Sequence, residues 1–225
     1  MQRKIIKTAD GSTTIQLPEW NEQYHSMHGA VQEARHVFLK MGLDHFLEKT
    51  STSKNSLNIL EIGFGTGLNA FLTCIEVAKN DTTIYYNGVE AYPVSAEEVV
   101  QLNYPELVNN AEFTDVFKQM HNSPWEKEIQ LTPNFFLTKR EQKFETIQDI
   151  DNYNLVYFDA FGAQVQPELW GEDIFQRMHN ALKKEGVLVT YAAKGSVRRA
   201  MQSVGFTVER LPGPPGKREM LRATK

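Results

Sequence analysis

The fold can be predicted by starting from "LNILEIGFGTGLN", residues 57–69. An apolar run with the length of a buried strand ends at Ile62, and glycines stand at every second position of the turn that follows. The apolar residues of "GLNAFLTCIEVAK" (67–79) then recur at helical spacing. A strand that enters a helix through a glycine turn is typical of a parallel α/β sheet, which binds ligands beyond the carboxyl ends of its strands. We therefore expect a ligand at this turn.

Strand and helix patterns alternate along the rest of the chain. The segments that indicate strands are "LNILEIG", "TIYYNGVEA", "IQLTPNFFLT", "NLVYFDAF", "VLVTYAA", "FTVERL" and "REMLRAT". The last two are joined by "PGPPGK" (212–217), which is too short for a helical crossover and favours antiparallel pairing. The sequence therefore predicts a Rossmann-like α/β fold: seven strands, mostly parallel, with an antiparallel last strand.

An extension precedes this alternation. Two β-prone runs flank Asp10-Gly11 and indicate a hairpin, and apolar residues at helical spacing follow between Val31 and Lys49. The polar stretch "TSTSKNS" (50–56) then indicates a loop. We expect residues 1–50 to form a hairpin and helix that pack on a core domain of residues 51–225.

Composition limits the class of protein. The chain has 225 residues, 41% of them hydrophobic and 23% charged, as in an ordinary globular domain. It shows no apolar run long enough to span a membrane, no secretory signal at its start and a single cysteine, Cys74, so we expect a cytoplasmic location and no membrane association.

The charge is distributed unevenly. A net charge of -4 argues against a protein that coats nucleic acid through bulk electrostatics. Residues 183–225, however, hold 10 lysines and arginines against 3 acidic residues. This basic end is either a solvated face or a surface for an anionic partner.

The glycine turn differs from the fingerprint of dinucleotide-binding proteins. Leu68 stands where the third glycine of that fingerprint would be, and Glu61 precedes the turn. A carboxylate there favours a cationic ligand over a phosphate, and Glu90, at the end of the next strand, can accept ribose hydroxyls. S-adenosylmethionine, with its ammonium and sulfonium, fits both positions; the alternative is a turn that only connects strand and helix. The candidate cofactor-binding residues are Glu61, Gly63, Gly65, Gly67, Asn69 and Glu90.

Separate blocks of sequence carry a family resemblance. They are "EIGFGTGLN" (61–69), "YHSMHGAVQEARHVF" (24–38), "YFDAFGAQVQPELW" (157–170), "VRRAMQSVGF" (197–206) and "GKREML" (216–221). Together they resemble the MnmC-like tRNA wobble-uridine methyltransferases, and the glycine motif resembles that of class I methyltransferases in general. The resemblance covers most of the chain.

The resemblance implies a reaction. A methyl group would pass from S-adenosyl-L-methionine to the primary amine of 5-aminomethyluridine, or its 2-thio form, at the wobble position of tRNA. Residues 51–225 would then be the S-adenosylmethionine-dependent domain, standing alone without the FAD oxidase domain of bifunctional relatives. Where relatives carry an adenine-binding acid the sequence reads "LTKREQKF" (137–144), so none is assigned there, and "DAFGA" (159–163) departs from the family's "DGFAP".

Asp159 is the candidate catalytic residue. It stands where the apolar strand "NLVYF" (154–158) ends, at the sheet edge predicted to hold the glycine turn. An alkylamine is mostly protonated near neutral pH, and an ammonium has no lone pair. Our hypothesis is that Asp159 orients the amine and receives its proton, while Phe158, Phe161 and Trp170 exclude water. The alternative is a carboxylate that caps the turn.

The block of residues 24–38 would form a lid over the cofactor. Within it, Tyr24 and Glu33 are candidates for contact with cofactor or substrate. His25, His28 and His36 do not match an established ligand spacing, so we expect no metal.

The basic end supplies candidates for RNA binding. Phosphate contacts from such residues could seat the tRNA anticodon loop while the pocket reads the base. The candidates are Lys194, Arg198, Arg199, Lys217 and Arg218.

Two rival functions remain open at this stage. An aminopropyltransferase of the spermidine synthase type shares the fold and an acid after this strand, although its pocket is normally denser in acids. A non-catalytic nucleotide-binding module would bind the cofactor without turnover.

Overall fold

The N-terminal residues form a small antiparallel sheet. The computed structural model describes residues 2–49, 56–79, 81–108 and 112–225. The small sheet contains β1 (Lys4–Lys7), β2 (Thr13–Leu17) and β3 (Glu22–Gln23). Between β1 and β2, Gly11 has φ +86°, and the carboxylate of Asp10 accepts a hydrogen bond from the Ser12 N–H at 3.1 Å. The hairpin predicted around Asp10-Gly11 is therefore confirmed.

One long helical stretch follows the small sheet. Its three parts are α1 (Ala30–Ala34), a π-helical segment (Arg35–Asp44) and α2 (His45–Lys49). Its apolar residues, among them Val37, Phe38 and Leu43, belong to the same buried cluster as residues of the main sheet. The predicted helix is confirmed. Most of the predicted polar loop lies outside the described residues, and the division into 1–50 and 51–225 stays a prediction.

The main sheet holds the strands predicted from the alternating pattern. They are β4 (Ser56–Ile62), β5 (Thr83–Glu90), β6 (Ile129–Thr132), β7 (Phe135–Glu141), β8 (Tyr153–Phe158), β9 (Leu182–Thr190), β10 (Thr207–Pro212) and β11 (Glu219–Thr224). Their order is β10-β11-β9-β8-β4-β5-β7-β6. Strands β7, β5, β4, β8 and β9 are parallel, whereas β11 is antiparallel to both β9 and β10. The predicted fold class is confirmed.

The described part of the main sheet has eight strands, so the predicted count of seven was wrong. The segment "IQLTPNFFLT" is two strands, because Pro133 and Asn134 form a tight turn that pairs Thr132 with Phe135. Proline lacks an N–H for the ladder and is favoured in turns. The extra strand, β6, therefore forms an antiparallel edge.

Helices cover both faces of the sheet. They are α3 (Leu68–Val77), α4 (Ala96–Val99), α5 (Tyr104–Leu107), α6 (Glu112–Asn122), α7 (Glu172–Ala181) and α8 (Gly195–Ser203). Along β8, Leu155 and Tyr157 enter one buried cluster, and Val156 and Phe158 enter the other. This alternation explains the continuous apolar run, because successive side chains of a strand point to opposite faces.

The topology brings three strand ends to one edge. Strands β4, β5 and β8 are neighbours and parallel, so Ile62, Glu90 and Phe158 end at the same side of the sheet. Among the helices described here, none is long and apolar enough to cross a membrane.

Candidate active site

A cavity of about 1220 Å³ opens at the carboxyl edge of the sheet. The glycine turn after β4 and the ends of β5 and β8 form its floor. The segment from Trp20 to Glu33, the loop between β10 and β11, and residues that follow β7 and β8 form its walls. The cavity therefore joins parts of the chain that are far apart in sequence.

The glycine turn touches the turn after β8 through backbone atoms. Gly63 has φ +87°, and a Cβ added there would lie 2.6 Å from the carbonyl oxygen of Asp159. Gly65 and Gly67 also have positive φ, +50° and +71°. Gly63 and Gly65 line the cavity, whereas Gly67 lies outside its lining at the start of α3. Glycine adopts these positive angles without strain, and at Gly63 the missing Cβ also leaves room for the turn after β8.

A hydrogen bond from α6 also stabilises the glycine turn. His121 Nε2 donates a hydrogen bond to the carbonyl oxygen of Thr66 at 3.1 Å. Burial lowers the pKa of His121 to about 4, so its ring is neutral near pH 7. Lys139, on β7, donates in turn to the carbonyl oxygen of His121 at 2.8 Å. These contacts fix the turn in place.

Glu90 lies at the end of β5, as predicted, and lines the cavity. One of its carboxylate oxygens accepts a hydrogen bond from the Gly65 N–H at 2.9 Å, and the other accepts from the Tyr92 N–H at 3.0 Å. Each carboxylate oxygen keeps a second lone pair. The carboxylate is thus fixed in direction and can still accept hydroxyl groups.

Asn69 joins the two acids predicted at this edge. Its Nδ2 donates at 2.9 Å to Glu61 and also at 2.9 Å to Asp159 Oδ2. Asp159 and Asn69 line the cavity, but Glu61 is fully buried and lies outside its lining. Burial is the main cause that raises the pKa of Glu61 well above its usual value; the bond from Asn69 opposes this rise, and the charge of Asp159 adds to it. Any effect of Glu61 on a ligand therefore passes through Asn69.

The titration of Asp159 is shifted toward neutral pH. Burial, and then the charge of Glu33, raise the pKa of Asp159 to about 7, while the hydrogen bond from Asn69 and the charge of Lys217 oppose the rise. A carboxyl group with such a pKa can exchange a proton near pH 7. Asp159 is therefore suited to proton transfer as well as to orientation.

Glu33 and Lys217 form a salt bridge across the cavity wall. Glu33 is buried, and its other oxygen accepts a hydrogen bond from the Ser26 N–H at 2.9 Å. The Lys217 ammonium also lies 3.9 Å from the centre of the Tyr191 ring, a favourable cation–π position. The Tyr191 hydroxyl donates to the carbonyl oxygen of Ala160 at 2.8 Å. The lid segment and the C-terminal loop are thereby tied together next to Asp159.

Three aromatic side chains, Trp20, Tyr24 and Phe161, line the cavity near Asp159. Phe161 packs edge-to-face against Tyr24, at 4.9 Å between ring centres, and against Trp20, at 5.9 Å. Of the three aromatics predicted to exclude water, only Phe161 lines the cavity. Phe158 and Trp170 are buried in the core, because successive positions of β8 alternate between faces and Trp170 packs on Phe158 at 5.1 Å. Trp170 instead supports Phe161 by donating to its carbonyl oxygen at 2.7 Å.

The five basic candidates are divided between two environments. Lys217 lies in the cavity wall, where Glu33 already pairs with it. The other four are outside the cavity lining: Lys194, Arg198 and Arg199 at the start of α8, and Arg218 in the β10–β11 loop. Lys194 reaches the rim, because its Nζ donates to Gln164 at 3.1 Å.

Some cavity residues were missed in the sequence. Lys143, Phe144 and Glu145, just after β7, line the cavity in the region where no adenine-binding acid was assigned. The signal that could have found them is strand order, since β7 pairs in parallel with β5 and Glu141 aligns with Glu90. A segment that follows β7 must therefore reach the same edge.

The histidines of the lid have structural contacts. His25 is buried, and its Nδ1 lies 2.9 Å from the Thr14 hydroxyl. His36 Nε2 donates to the carbonyl oxygen of Pro212 at 2.8 Å. No group of three or more potential metal-binding side chains occurs in the part of the chain that the structure describes.

Comparison with known proteins assigns the family. Residues 108–225 match the family described as S-adenosyl-L-methionine-dependent methyltransferase. The chain belongs to this methyltransferase family. A curated relative from Polaromonas naphthalenivorans, "tRNA 5-methylaminomethyl-2-thiouridine biosynthesis bifunctional protein MnmC", is 32% identical over 96% of this methyltransferase and 34% of the relative. The methyltransferase spans about a third of the length of the curated relatives it matches.

Solved structures share the fold of this methyltransferase. MnmC2 from Aquifex aeolicus superposes with a TM-score of 0.78 at 23% identity, covering 99% of this methyltransferase and 69% of that chain. Spermidine synthase from Thermotoga maritima superposes with a TM-score of 0.57 at 14% identity, covering 99% and 68%. At these identities the likeness establishes the fold alone.

The cavity of this methyltransferase fits its cofactor, S-adenosyl-L-methionine. Oδ1 of Asn69 is a buried acceptor without a hydrogen-bond partner among the described residues, and an ammonium group could satisfy it. Glu90 offers acceptors for ribose hydroxyls, and the glycine turn allows close approach of a ligand to the backbone. The residues at this end of the cavity offer many hydrogen-bond acceptors, which suits a ligand with a cationic amino-acid end.

Proposed function

We propose that this methyltransferase methylates the primary amine of 5-aminomethyluridine, or of its 2-thio form, at the wobble position of tRNA, producing 5-methylaminomethyluridine. The observation that carries the proposal is Asp159: a cavity carboxylate with a pKa of about 7, in backbone contact with the glycine turn. The substrate is inferred from relatives whose names specify 5-methylaminomethyl-2-thiouridine, a nucleoside with a methylated amine.

Asp159 performs the proton chemistry in this proposal. S-adenosyl-L-methionine supplies the methyl group when bound. Asp159, as the carboxylate, accepts a hydrogen bond from the substrate ammonium and takes its proton, which leaves a neutral amine with a lone pair. Phe161 and Tyr24 limit the access of water, and this desolvation also disfavours the ammonium. In the predicted roles, Glu90 holds the ribose, Asn69 and the turn from Gly63 to Gly67 hold the amino-acid end, and Glu61 acts through Asn69.

A mass-spectrometric assay tests the proposal directly. The protein is incubated with labelled S-adenosyl-L-methionine and tRNA from cells that lack the wobble-uridine methyltransferase, and the nucleosides are then analysed. We expect aminomethyluridine to gain one labelled methyl group. Absence of this gain, with cofactor binding intact, rejects the substrate and favours a nucleotide-binding module.

One observation supports a second candidate function, that of an aminopropyltransferase acting on a polyamine. Seven carboxylate side chains line the cavity, an acidic surface that would suit a polycation: Glu22, Glu33, Glu90, Glu145, Asp159, Glu168 and Asp173. Formation of a longer polyamine from putrescine and decarboxylated S-adenosylmethionine would identify this activity. We expect no such product, because the family match is to methyltransferases.

The four basic residues outside the cavity lining form the proposed seat for the anticodon loop; Arg198 is half-buried and the other three are exposed. Lys194, Arg198 and Arg199 share the start of α8, next to the cavity rim, and Arg218 is exposed in the β10–β11 loop. Such residues bind phosphates and fix the orientation of an RNA without reading its sequence. Since the proposed substrate is tRNA, we place the enzyme in the cytoplasm.

Removing two of these charges should weaken tRNA binding in a salt-dependent way. For the double variant R199A/R218A we expect lower tRNA affinity, and the slope of log affinity against log salt should fall by about 1 for each phosphate that is no longer bound. The control is K118A, which removes a lysine that is 67% exposed on α6. Equal slopes in the double variant and the wild type would show that Arg199 and Arg218 do not contact tRNA phosphates.

Trp20 is the proposed stacking surface for an unpaired base. It is 36% exposed, lines the cavity and contacts Phe161. Base stacking on an aromatic side chain contributes about 1–3 kcal/mol, so W20A should raise the KM for tRNA while W20F restores much of it. Y85A is the control, because Tyr85 is similarly exposed, at 37%, and lies outside the cavity lining. A KM unchanged in W20A would exclude stacking.

The salt bridge between Glu33 and Lys217 should control the pH dependence of methylation. Asp159 must be ionised to act, so kcat rises with pH through the pKa of Asp159, at about 7. Glu33 raises this pKa and Lys217 lowers it. We therefore expect E33Q to move the midpoint of the kcat–pH curve to lower pH and K217M to move it to higher pH. Each variant is the other's control; shifts in the same direction would contradict this electrostatic account.

A further inference from the structure

Asn69 makes the two side-chain bonds that determine how Asp159 is presented to the cavity. Its Nδ2 is 2.9 Å from Asp159 Oδ2 and 2.9 Å from Glu61 Oε1. Asn69 is 2% exposed at the start of α3, and Glu61 is fully buried at the end of β4. The amide nitrogen faces both acids because the amide oxygen, in its place, would face two carboxyl oxygens.

We propose that Asn69 is the positioning residue for Asp159 and that Glu61 anchors Asn69 in this role. The inference rests on the proposed function, since it requires Asp159 to act on the amine. Holding a reacting group in one geometry is a large part of catalysis, and small displacements are costly in rate.

The arrangement leaves one oxygen of Asp159 free for the substrate. Among the described residues, Asn69 provides the one hydrogen bond to the Asp159 side chain, and it uses Oδ2. Oδ1 is thereby left to accept from the substrate amine. Because an amide N–H favours the ionised carboxylate, Asn69 also promotes the form that can take a proton.

The buried Glu61 side chain restrains the orientation of the Asn69 amide. Rotation of the Asn69 amide about its last bond would break its bonds to both acids, so the bond to Glu61 restrains the donor that holds Asp159. Burial favours the protonated form of Glu61.

Other charged and titratable groups also face Asn69, Glu61 and Asp159. Their effects on the titration of Asp159 must be separated from the effect of Asn69. They are Glu33 on α1, Lys217 in the β10–β11 loop, Tyr191 after β9, Glu90 on β5 and Tyr86 on β5. Substituting Asn69 with alanine leaves all five unchanged and adds no charge, so a shift of the Asp159 titration in N69A can be assigned to the missing hydrogen bond, whereas N69D adds a carboxylate beside Asp159.

The test measures turnover, cofactor affinity and Asp159 titration in N69A and in N69D, which keeps the shape of the side chain. We expect kcat to fall about 10- to 100-fold in N69A, and cofactor affinity to fall by a smaller factor because the Oδ1 acceptor is lost as well. The titration midpoint of Asp159, followed by carbon-13 NMR in the ligand-free protein and assigned with D159N, should rise in both variants. E61A should raise it too, whereas E61Q, which keeps an acceptor for Asn69, should raise it less. N58A is the matched control, because the Asn58 amide donates to a backbone carbonyl away from the cavity.

Two outcomes would overturn the inference. An Asp159 midpoint that is unmoved in both Asn69 variants would show that Asn69 does not control Asp159. A loss of cofactor affinity as large as the loss of kcat would show that Asn69 acts through its contact with the cofactor and not by positioning Asp159. If the wild type fails to methylate tRNA, the substrate proposal fails, while the NMR titration still decides the role of Asn69.

Discussion

D159N is expected to lower the kcat of methylation by about 10²- to 10⁴-fold, the usual contribution of positioned proton transfer. Asparagine has nearly the shape of aspartate but cannot accept a proton from an ammonium. The contact between the Asp159 carbonyl oxygen and Gly63 is a backbone contact, so the cofactor turn should keep its form. Cofactor affinity, measured by calorimetry, should therefore change little.

The control for D159N is D173N. Asp173 is an exposed acid that also lines the cavity, but it lies at the start of α7 and not after β8. We expect near wild-type kcat for this variant. Equal losses of cofactor affinity and kcat in D159N would make Asp159 a cofactor ligand.

G63A should damage both binding and turnover. An alanine at φ +87° is strained by about 1–3 kcal/mol, and its Cβ would lie 2.6 Å from the Asp159 carbonyl oxygen. Neither backbone can yield without moving the cofactor turn or the catalytic carboxylate. We expect a lower free energy of unfolding in urea, weaker cofactor binding and a lower kcat.

G171A provides the matched comparison for G63A. Gly171 has φ -87°, and an added Cβ would meet only the Glu168 carbonyl oxygen, at 3.8 Å, as its near neighbour. Its stability should stay close to that of the wild type. Wild-type cofactor affinity in G63A would contradict the close packing of the two turns.

The core of the fold could be predicted because it depends on local pattern. The run from Leu155 to Phe158, directly before Asp159, is apolar at every position since β8 is buried on both faces, and this pattern can be read from sequence. The hairpin at Pro133 was missed because the apolar positions on its two sides resemble one long strand. The turn residues were the better guide, since proline interrupts a ladder.

The site was predicted where it depends on strand ends and missed where it depends on distant contacts. Glu90 and Asp159 reach the cavity because both follow parallel strands. The pairing of Glu33 with Lys217 joins residues 184 positions apart, and no periodicity signals it. The burial of Glu61 behind Asn69 likewise depends on the direction of a side chain within the sheet.

The placement of β11 between β9 and β10 imposes an order on folding. β10 is held to the sheet through β11, so it can join only together with β11 or after it. The two strands are close in sequence and form a hairpin, a unit that assembles quickly and can dock as one piece. The loop of that hairpin carries Lys217 to Glu33. A chain in which this hairpin has not docked therefore lacks one wall of the cavity, and ligand binding reports completion of the sheet.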